Sequence, residues 1–341
     1  MSDIVSREIR LLSYPDGMPD ESDFEIAEVT LSEPAEGEVL VQNLYMSVDP
    51  YMRLRMNLRM KRVSPFQINK TLDGACVGRV VKSNGGKFQE GDCVHGSLGW
   101  REFFLSDGSG LRKIDPQIAP IQAYLGVLGA TGLTAYLGLL EIGQPEEGET
   151  VFISAASGAV GSIVCQIAKI KGCRVVGSTG SDEKVAWLME EAGVDAAFNY
   201  KKVDDLTAEF GRHCPDGIDV YFENVGGKHL EAALEHMNTF GRIALCGMIS
   251  DYNATEPPSA PNNLVVSVAK RLTLRGFTPT DHKERYKQFY IDMGNWISEG
   301  KIVWKETIID GIENAPKAFM GLFTGENLGK MLVKTGPEPE V

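Results

Sequence analysis

A glycine-rich turn between an apolar strand and a helix constrains the fold of this 341-residue chain more than any other feature. The segment Thr150–Ser154 has the pattern of a buried strand and leads directly into A-A-S-G-A-V-G over residues 155–161. A helical pattern follows over residues 159–171, and a second strand pattern begins at Arg174. Such glycines allow a tight turn, close helix–strand packing and close approach of the backbone to a pyrophosphate. The segment predicts a β-α-β unit with a dinucleotide site at the start of its helix.

Strands and helices continue to alternate on the carboxyl side of this unit, which predicts a doubly wound parallel sheet of the Rossmann type. The further strand patterns cover residues 174–177, 196–200, 217–222, 241–246 and 271–277. The helical patterns cover residues 182–192, 229–237 and 283–299.

The first third of the chain has a different pattern. Residues 24–29 and 38–45 have strand patterns, and clusters of glycine, proline and aspartate punctuate the segments that follow. Short strands between such turns predict a compact β-barrel-like domain. Apolar residues at helical spacing over 121–140 predict a helix between this region and the strand at residue 150.

The end of the second strand bears on the choice between NADPH and NADH. NAD sites usually place an acidic residue there for the ribose 2′-hydroxyl, whereas this chain has small residues over 177–181. These residues leave room for a phosphate, and Lys184 in the next helix can supply positive charge. The pattern predicts NADPH, although Asp182 follows closely and leaves the alternative open.

The charge and cysteine content narrow the possible partners and compartment. With 47 acidic and 34 basic residues the net charge is −13, which disfavours binding to nucleic acid or anionic membranes. No apolar run approaches the length of a membrane-spanning helix, and the first ten residues lack a signal-peptide pattern. Six cysteines without a C-x-x-C pair are typical of buried free thiols. We therefore expect a cytoplasmic protein.

Metal ligands and activated nucleophiles are not evident in the sequence. The segments 46–50 and 72–78, where a catalytic zinc would find its ligands, contain no histidine, and His95 stands alone. No G-x-S-x-G motif occurs. We expect no metal, and without zinc the reduction of an activated C=C bond is favoured over oxidation of an unactivated alcohol.

Several motifs together resemble the zinc-independent medium-chain dehydrogenases/reductases. Within that family the resemblance is to the branch of leukotriene/prostaglandin reductases, plant alkenal double-bond reductases and bacterial curcumin-reductase-like enzymes. It extends over nearly the whole chain, and D-P-Y-M-R and E-N-V-G-G are specific to that branch. The motifs lie at Ser47–Arg53, Gly158–Ser162, Lys171–Gly177, Phe222–Gly227 and Asn327–Lys330.

The resemblance implies a two-domain architecture and a cofactor. A GroES-like catalytic domain would comprise residues 1–125, completed by residues 310–341. A Rossmann NADP-binding domain would comprise residues 126–309. NADPH is the implied cofactor, and a homodimer joined through the edge of the Rossmann sheet is the implied assembly.

The same resemblance implies cofactor contacts at matched positions. The turn contacts the pyrophosphate, Lys184 and Tyr200 the 2′-phosphate end, and Asn224 the ribose or nicotinamide side. Further contacts follow later strands or return from the first domain. The implied set is Gly158, Ala159, Val160, Gly161, Lys184, Tyr200, Asn224, Cys246, Met248, Tyr252, Phe277, Thr278, Pro279 and Asn327.

Two tyrosines are the candidate catalytic residues. In the resembling reductases a tyrosine in a segment like that of Tyr252 is proposed to orient the nicotinamide ribose hydroxyl against the substrate carbonyl. A phenol or ribose hydroxyl can stabilise a developing enolate while hydride reaches the β-carbon of an α,β-unsaturated aldehyde or ketone. Tyr51 is the second candidate, expected to line the cleft from the first domain. For both, aromatic packing is the competing interpretation.

Other functions remain open at this level. An NADPH quinone oxidoreductase shares the fold and also lacks zinc, and a crystallin-like protein could bind NADPH without turnover. The substrate depends on first-domain loops such as residues 57–70, which the sequence pattern does not define.

Overall fold

The computed structural model describes residues 4–58, 63–258 and 260–337, and the chain forms two compact units. The first unit contains Met1–Gly126, Glu306–Asn327 and Met331–Val341. The second unit contains Val127–Lys305 and Leu328–Lys330.

Strands and helices of the described residues are numbered in chain order. The strands are β1 (Ile4–Leu11), β2 (Phe24–Leu31), β3 (Val39–Ser47), β4 (Cys76–Ser83), β5 (Cys93–Gly96), β6 (Phe103–Ser106), β7 (Arg112–Lys113), β8 (Thr150–Ile153), β9 (Arg174–Thr179), β10 (Ala196–Asn199), β11 (Ile218–Glu223), β12 (Met237–Leu245), β13 (Thr273–Gly276), β14 (Glu306–Asp310) and β15 (Lys330–Lys334). The helices are α1 (Tyr51–Arg55), α2 (Ala130–Leu137), α3 (Gly161–Ile170), α4 (Asp182–Glu190), α5 (Leu206–His213), α6 (Gly227–His236), α7 (Val266–Lys270), α8 (Tyr286–Ser298) and α9 (Ala315–Thr324).

The second unit is built on a six-stranded parallel sheet in the order β10-β9-β8-β11-β12-β13. Two halves diverge from the centre, between β8 and β11, which is the doubly wound Rossmann order. The predicted parallel sheet is confirmed. Ligands of such sheets bind beyond the carboxyl ends of the strands, close to the point where the order reverses.

The centre of this sheet is apolar on both faces, as a parallel sheet covered by helices requires. Val151, Phe152 and Ile153 of β8 are fully buried. On one face, Phe152 stacks on Phe210 of α5 with ring centroids 4.0 Å apart and meets Tyr221 of β11 edge-on at 5.7 Å. This packing holds the carboxyl ends of β8 and β11 in fixed register.

The first unit is built mainly from antiparallel strands. A seven-stranded sheet follows the order β14-β15-β3-β4-β5-β7, with β6 also paired to β3, and β1 and β2 form a two-stranded sheet. The core centres on Trp100, which is fully buried between the rings of Phe24 and Phe319. The β-rich first domain predicted from the turn spacing is confirmed.

The single helix predicted over residues 121–140 is wrong. The segment forms a short 3-10 helix over Ile121–Leu125, then α2, then a π-helical turn over Gly138–Gly143. A methyl group at Gly132 would lie 1.9 Å from the Val127 carbonyl oxygen, so this segment packs too closely for a continuous helix of ordinary residues. The helical spacing of its apolar residues reflects burial rather than one continuous helix.

Two element boundaries also differ from the sequence pattern. Helix α3 begins at Gly161 rather than residue 159, and β12 begins at Met237 rather than residue 241. The early start of β12 accompanies a register shift against β11 between Ile218 and Val220, with Phe240 in the left-handed region. A periodic pattern cannot reveal such a bulge, because it depends on the partner strand.

Candidate functional site

The predicted cofactor contacts of the second unit follow the carboxyl ends of its six parallel strands. They therefore lie along one edge of the sheet. Tyr51 and Asn327 belong to the first unit instead, with Asn327 half-buried between α9 and β15. In strand order, the second-unit residues are Gly158–Gly161 after β8, Lys184 after β9, Tyr200 after β10, Asn224 after β11, Cys246, Met248 and Tyr252 after β12, and Phe277–Pro279 after β13.

The turn after β8 is closed by contact between glycine and backbone. Ala155 has a φ of 48°, and its carbonyl oxygen accepts the Gly158 N–H at 3.0 Å. A methyl group at Gly161 would lie 2.4 Å from that same oxygen and 2.9 Å from the Ala156 Cα. No larger residue fits at position 161 without moving α3 away from the turn. The turn thus provides the close approach that a pyrophosphate needs.

Two further contacts anchor the turn. The hydroxyls of Ser157 and Thr179, both buried, lie 2.5 Å apart and join the turn to the end of β9. On the other side, the Gly329 N–H donates to the Ser157 carbonyl at 2.8 Å. A methyl group at Gly329 would lie 1.9 Å from the Lys305 carbonyl oxygen, so only glycine fits this approach. The backbone of this turn is therefore held by three segments, which are the start of α3, the end of β9 and the segment around Gly329.

The acidic residue near the end of β9 is bound to neighbouring side chains. The Asp182 carboxylate accepts the Asn199 amide at 2.8 Å and forms an ion pair with Lys202, and these contacts lower its pKa. Ser181 caps α4 by accepting the Lys184 N–H at 3.3 Å. Asp182 therefore carries a charge that is paired with the exposed Lys202.

Tyr200 extends across the end of β9. Its half-buried ring meets His229 edge-on, with centroids 5.0 Å apart. Its hydroxyl lies 3.4 Å from the position that a methyl group at Gly180 would occupy. Burial raises the pKa of this phenol, so it stays protonated at neutral pH and can donate a hydrogen bond.

A buried carboxyl group lies beneath the end of β11. Glu223 is fully buried, and its Oε1 accepts the Ser154 hydroxyl at 2.9 Å and the Val225 N–H at 2.6 Å. Ser154 Oγ in turn accepts the Asn224 N–H at 2.9 Å, and the Ser154 carbonyl accepts the Asn224 amide at 2.7 Å. This network fixes the orientation of Asn224 at the switch point of the sheet.

The loop after β12 is tied to the same carboxyl end. The N–H groups of Cys246 and Gly247 both donate to the Glu223 carbonyl, at 2.9 and 3.1 Å. The hydroxyl of Tyr252 lies 3.0 Å from the position of a methyl group at Gly247, so the phenol returns to the strand end. Burial raises the pKa of Tyr252 above 10.0, and the neighbouring Cys246 and Asp251 add to the rise. Tyr252 is therefore a neutral hydrogen-bond donor at this edge.

The segment after β13 provides an aromatic wall. Phe277 is half-buried, and its ring meets Phe222 edge-on with centroids 6.3 Å apart. Thr278 is exposed, with its hydroxyl 3.0 Å from that of Thr280. The Pro279 carbonyl accepts the Tyr286 hydroxyl at 3.2 Å.

The D-P-Y-M-R motif of the first unit combines one exposed side chain with one structural residue. Tyr51 begins α1 and is 46% exposed, while desolvation and the charge of Asp49 raise the pKa of its phenol. Arg53 is buried and donates to the carbonyls of Pro15 at 3.1 Å and Gly17 at 2.7 Å. Only the tyrosine of this pair is available to a ligand.

Glu223 and Ser154 were not among the predicted site residues. The sequence does carry a sign of Glu223, because an acidic residue closes the otherwise apolar run of Val220–Phe222. A charged residue at the end of a buried strand needs a compensating network. Its partner Ser154 lies 69 positions earlier, which no local pattern reveals.

Two kinds of feature are absent from the described parts of the chain. Across residues 4–58, 63–258 and 260–337, no group of three or more His, Cys, Asp or Glu residues is arranged to hold a metal ion. Within the same ranges, no helix has the length and apolar character needed to cross a membrane.

Comparisons with known proteins match both units. Residues 7–114 match the family described as N-terminal domain of oxidoreductase, and residues 159–295 match that described as zinc-binding dehydrogenase. The NADP(+)-dependent 2-alkenal reductase of Nicotiana tabacum is 45% identical over 98% of this chain and 99% of its own. The NADPH-dependent curcumin reductase of Escherichia coli (strain K12) is 44% identical, covering 95% of each chain.

A solved structure agrees with these relatives. CurA from Vibrio vulnificus, crystallised in complex with NADPH, superposes with a TM-score of 0.92 at 41% identity. The match covers 97% of this chain and 99% of that one.

Replacing Glu223 by Gln should stabilise the protein most at neutral and alkaline pH. Burial raises the pKa of Glu223, so its ionisation opposes folding as the pH rises above the range in which an unfolded glutamate titrates. Glutamine keeps an acceptor for Ser154 without the charge. We expect the melting temperature of the variant to exceed that of wild type by a few degrees at pH 7 and to converge with it near pH 4. An equal difference at both pH values would contradict this account.

Proposed function

Since this chain belongs to the zinc-independent medium-chain dehydrogenases/reductases, in the branch of the alkenal, curcumin and prostaglandin reductases, we propose that it is an NADPH-dependent enone reductase. It has the GroES-like domain and Rossmann domain of that family. The reaction is the reduction of the activated C=C bond of α,β-unsaturated aldehydes and ketones. The observation that carries this proposal is the strand-end edge of the parallel sheet, where a glycine turn, basic residues and a neutral phenol occur together.

In this proposal the NADP-binding domain comprises residues 126–309 and the catalytic domain residues 1–125 with 310–341. Gly161 and Gly180 carry no side chain at the turn and at the end of β9, where a pyrophosphate and a 2′-phosphate would approach the backbone. Lys184 and Tyr200 hold the 2′-phosphate, and Asn224 holds the ribose or the nicotinamide side. The remaining contacts are Gly158, Ala159, Val160, Gly161, Cys246, Met248, Tyr252, Phe277, Thr278, Pro279 and Asn327.

The residues of the chain contribute by binding and by polarising the substrate. Bound NADPH supplies the hydride that the β-carbon accepts. Tyr252, held protonated by its buried surroundings, donates a hydrogen bond that stabilises negative charge on the carbonyl oxygen as the enolate develops. Tyr51 is the second hydroxyl donor, from the catalytic domain. Solvent or a hydroxyl then protonates the α-carbon.

A panel of acceptors tests the function. We expect the purified protein to oxidise NADPH in the presence of 2-alkenals and enones, with a higher kcat/KM than for quinones, and to bind NADH more weakly than NADPH. Absorbance at the reduced-nicotinamide band measures turnover, and calorimetry measures cofactor binding. Turnover of quinones alone would assign the protein to the quinone oxidoreductases. Tight NADPH binding without any turnover would favour a crystallin-like role.

Replacing Tyr252 by Phe should separate catalysis from cofactor binding. Loss of one hydrogen bond to developing charge typically costs about 10²-fold or more in kcat. We expect kcat for an enone to fall by about that factor, while the NADPH dissociation constant and melting temperature stay close to those of wild type. Because burial raises the pKa of Tyr252, any alkaline decline in wild-type kcat that reports this phenol should occur at higher pH than the titration of an exposed tyrosine. An unchanged kcat in the variant would remove Tyr252 from the mechanism.

We propose further that the protein is a homodimer joined through β13. This strand closes one edge of the parallel sheet, and in the described residues its outer side pairs with no other strand. Val265, at the start of α7, and Val268, within α7, are 74% and 76% exposed. An open strand edge next to apolar side chains favours pairing with a second copy.

Replacing Val268 by Glu should weaken that dimer, because it would bury a charge on each side of a self-complementary contact. We expect a shift toward the monomer mass in sedimentation velocity. Val5→Glu, at a 49%-exposed position of β1, is the matched control and should leave the mass unchanged. A monomeric wild-type protein would refute the dimer.

A cytoplasmic location completes the proposal. All six cysteines are free, and five of them are buried. Free thiols of this kind are typical of proteins kept in reducing compartments.

A further inference from the structure

The carboxyl ends of β9 and β10 bring three lysines close to one aspartate. Lys202 is bound to Asp182, which also accepts the Asn199 amide. Lys202 is therefore already paired with a carboxylate of the protein itself. Lys184 and Lys201 lie at the same strand ends, so their combined charge determines the local potential there.

Lys201 lies over Gly180, the residue that follows β9. A methyl group at Gly180 would lie 3.3 Å from Lys201 Cε, 3.6 Å from Lys201 Nζ and 3.4 Å from the Tyr200 hydroxyl. The ammonium group and the phenol thus converge on one point above a residue without a side chain. Both are hydrogen-bond donors, and they approach the Gly180 backbone so closely that even a methyl group there would be tightly packed.

The two lysines also influence each other. The pKa of Lys184 is lowered, first by burial and second by the positive charge of Lys201, with Glu183 opposing the shift. Two like charges near one another repel, and an anion bound between them relieves that repulsion. In a chain of net charge −13, two neighbouring lysines create a local positive potential that attracts a dianion.

We propose that Lys201 is a second cation of the 2′-phosphate site and that it acts with Lys184 and Tyr200 to determine the preference for NADPH over NADH. This inference rests on the proposed function, since it assigns a residue to the cofactor site of that reductase. Lys201 then contributes a charge-assisted hydrogen bond to a phosphate oxygen that NADH lacks.

The test compares Lys201→Gln with Lys201→Arg and with Lys171→Gln. Lys171 is an exposed lysine of the same unit at the opposite, carboxyl end of α3, so its substitution changes net charge equally. Dissociation constants for NADPH and NADH are measured by calorimetry, with kcat/KM for an enone as the second readout. The melting temperature of each variant confirms that it is folded.

We expect Lys201→Gln to weaken NADPH binding by about 10-fold or more, the usual effect of losing a hydrogen bond to a charged group. NADH binding should be unchanged, Lys201→Arg should retain most of the affinity, and Lys171→Gln should behave like wild type. Equal loss for NADPH and NADH, or no loss for NADPH, would overturn the assignment.

A parallel Lys184→Gln variant separates this inference from the proposed function. If wild type prefers NADPH and Lys184→Gln loses that preference while Lys201→Gln keeps it, only the role of Lys201 fails. If wild type binds NADH as tightly as NADPH, both the proposed cofactor preference and the role of Lys201 fail.

Discussion

The contact between Gly161 and the carbonyl oxygen of Ala155 fixes the geometry on which the rest of the site depends. It sets where α3 begins and how closely the helix approaches the end of β8. Ala155 adopts a left-handed conformation that is rare for residues other than glycine, and such backbone persists only where the surroundings enforce it. Here the enforcement comes from Thr179 on one side and Gly329 on the other. The late segment of the chain around Gly329 therefore helps to hold the conformation of this turn.

The electrostatic potential at this edge of the sheet depends on which charged side chains are paired with one another. Lys202 is paired with Asp182, whereas Lys201 lies beside Gly180. Asp182 would repel a 2′-phosphate if it were uncompensated, but Lys202 and Asn199 bind it. The Lys201 ammonium group and the Tyr200 hydroxyl, both hydrogen-bond donors, approach the backbone at Gly180. An acidic protein can thus bind a highly anionic cofactor, because the sign of the local charge matters more at contact distance than the net charge, which salt screens.

Sequence patterns predicted the parts of the fold that depend on residues close together in the chain. Strand–helix alternation predicted the parallel sheet, and the glycine turn predicted the junction between β8 and α3. The failures occur where distant contacts decide. The break within residues 121–140 depends on close packing at Gly132, and the pairing of Asp182 depends on a lysine 20 positions later. The partner of Glu223 is a serine in the turn that follows β8. Sequence motifs predicted which residues lie at the edge of the sheet, but they did not reveal that Asp182 pairs with Lys202 there.

The environment of Tyr252 suits an enzyme whose substrates are electrophiles. Burial raises the pKa of the Cys246 thiol to about 12, with a smaller contribution from Glu223, and burial likewise raises the pKa of Tyr252, with a smaller contribution from Cys246. Both groups therefore stay protonated at neutral pH, so the edge offers hydrogen-bond donors rather than thiolate or phenolate nucleophiles. Because the thiolate is the reactive form of cysteine, a protonated Cys246 is a weak nucleophile toward an electrophilic carbon. The burial that raises these two pKa values thus leaves the loop after β12 with neutral hydrogen-bond donors at the strand end.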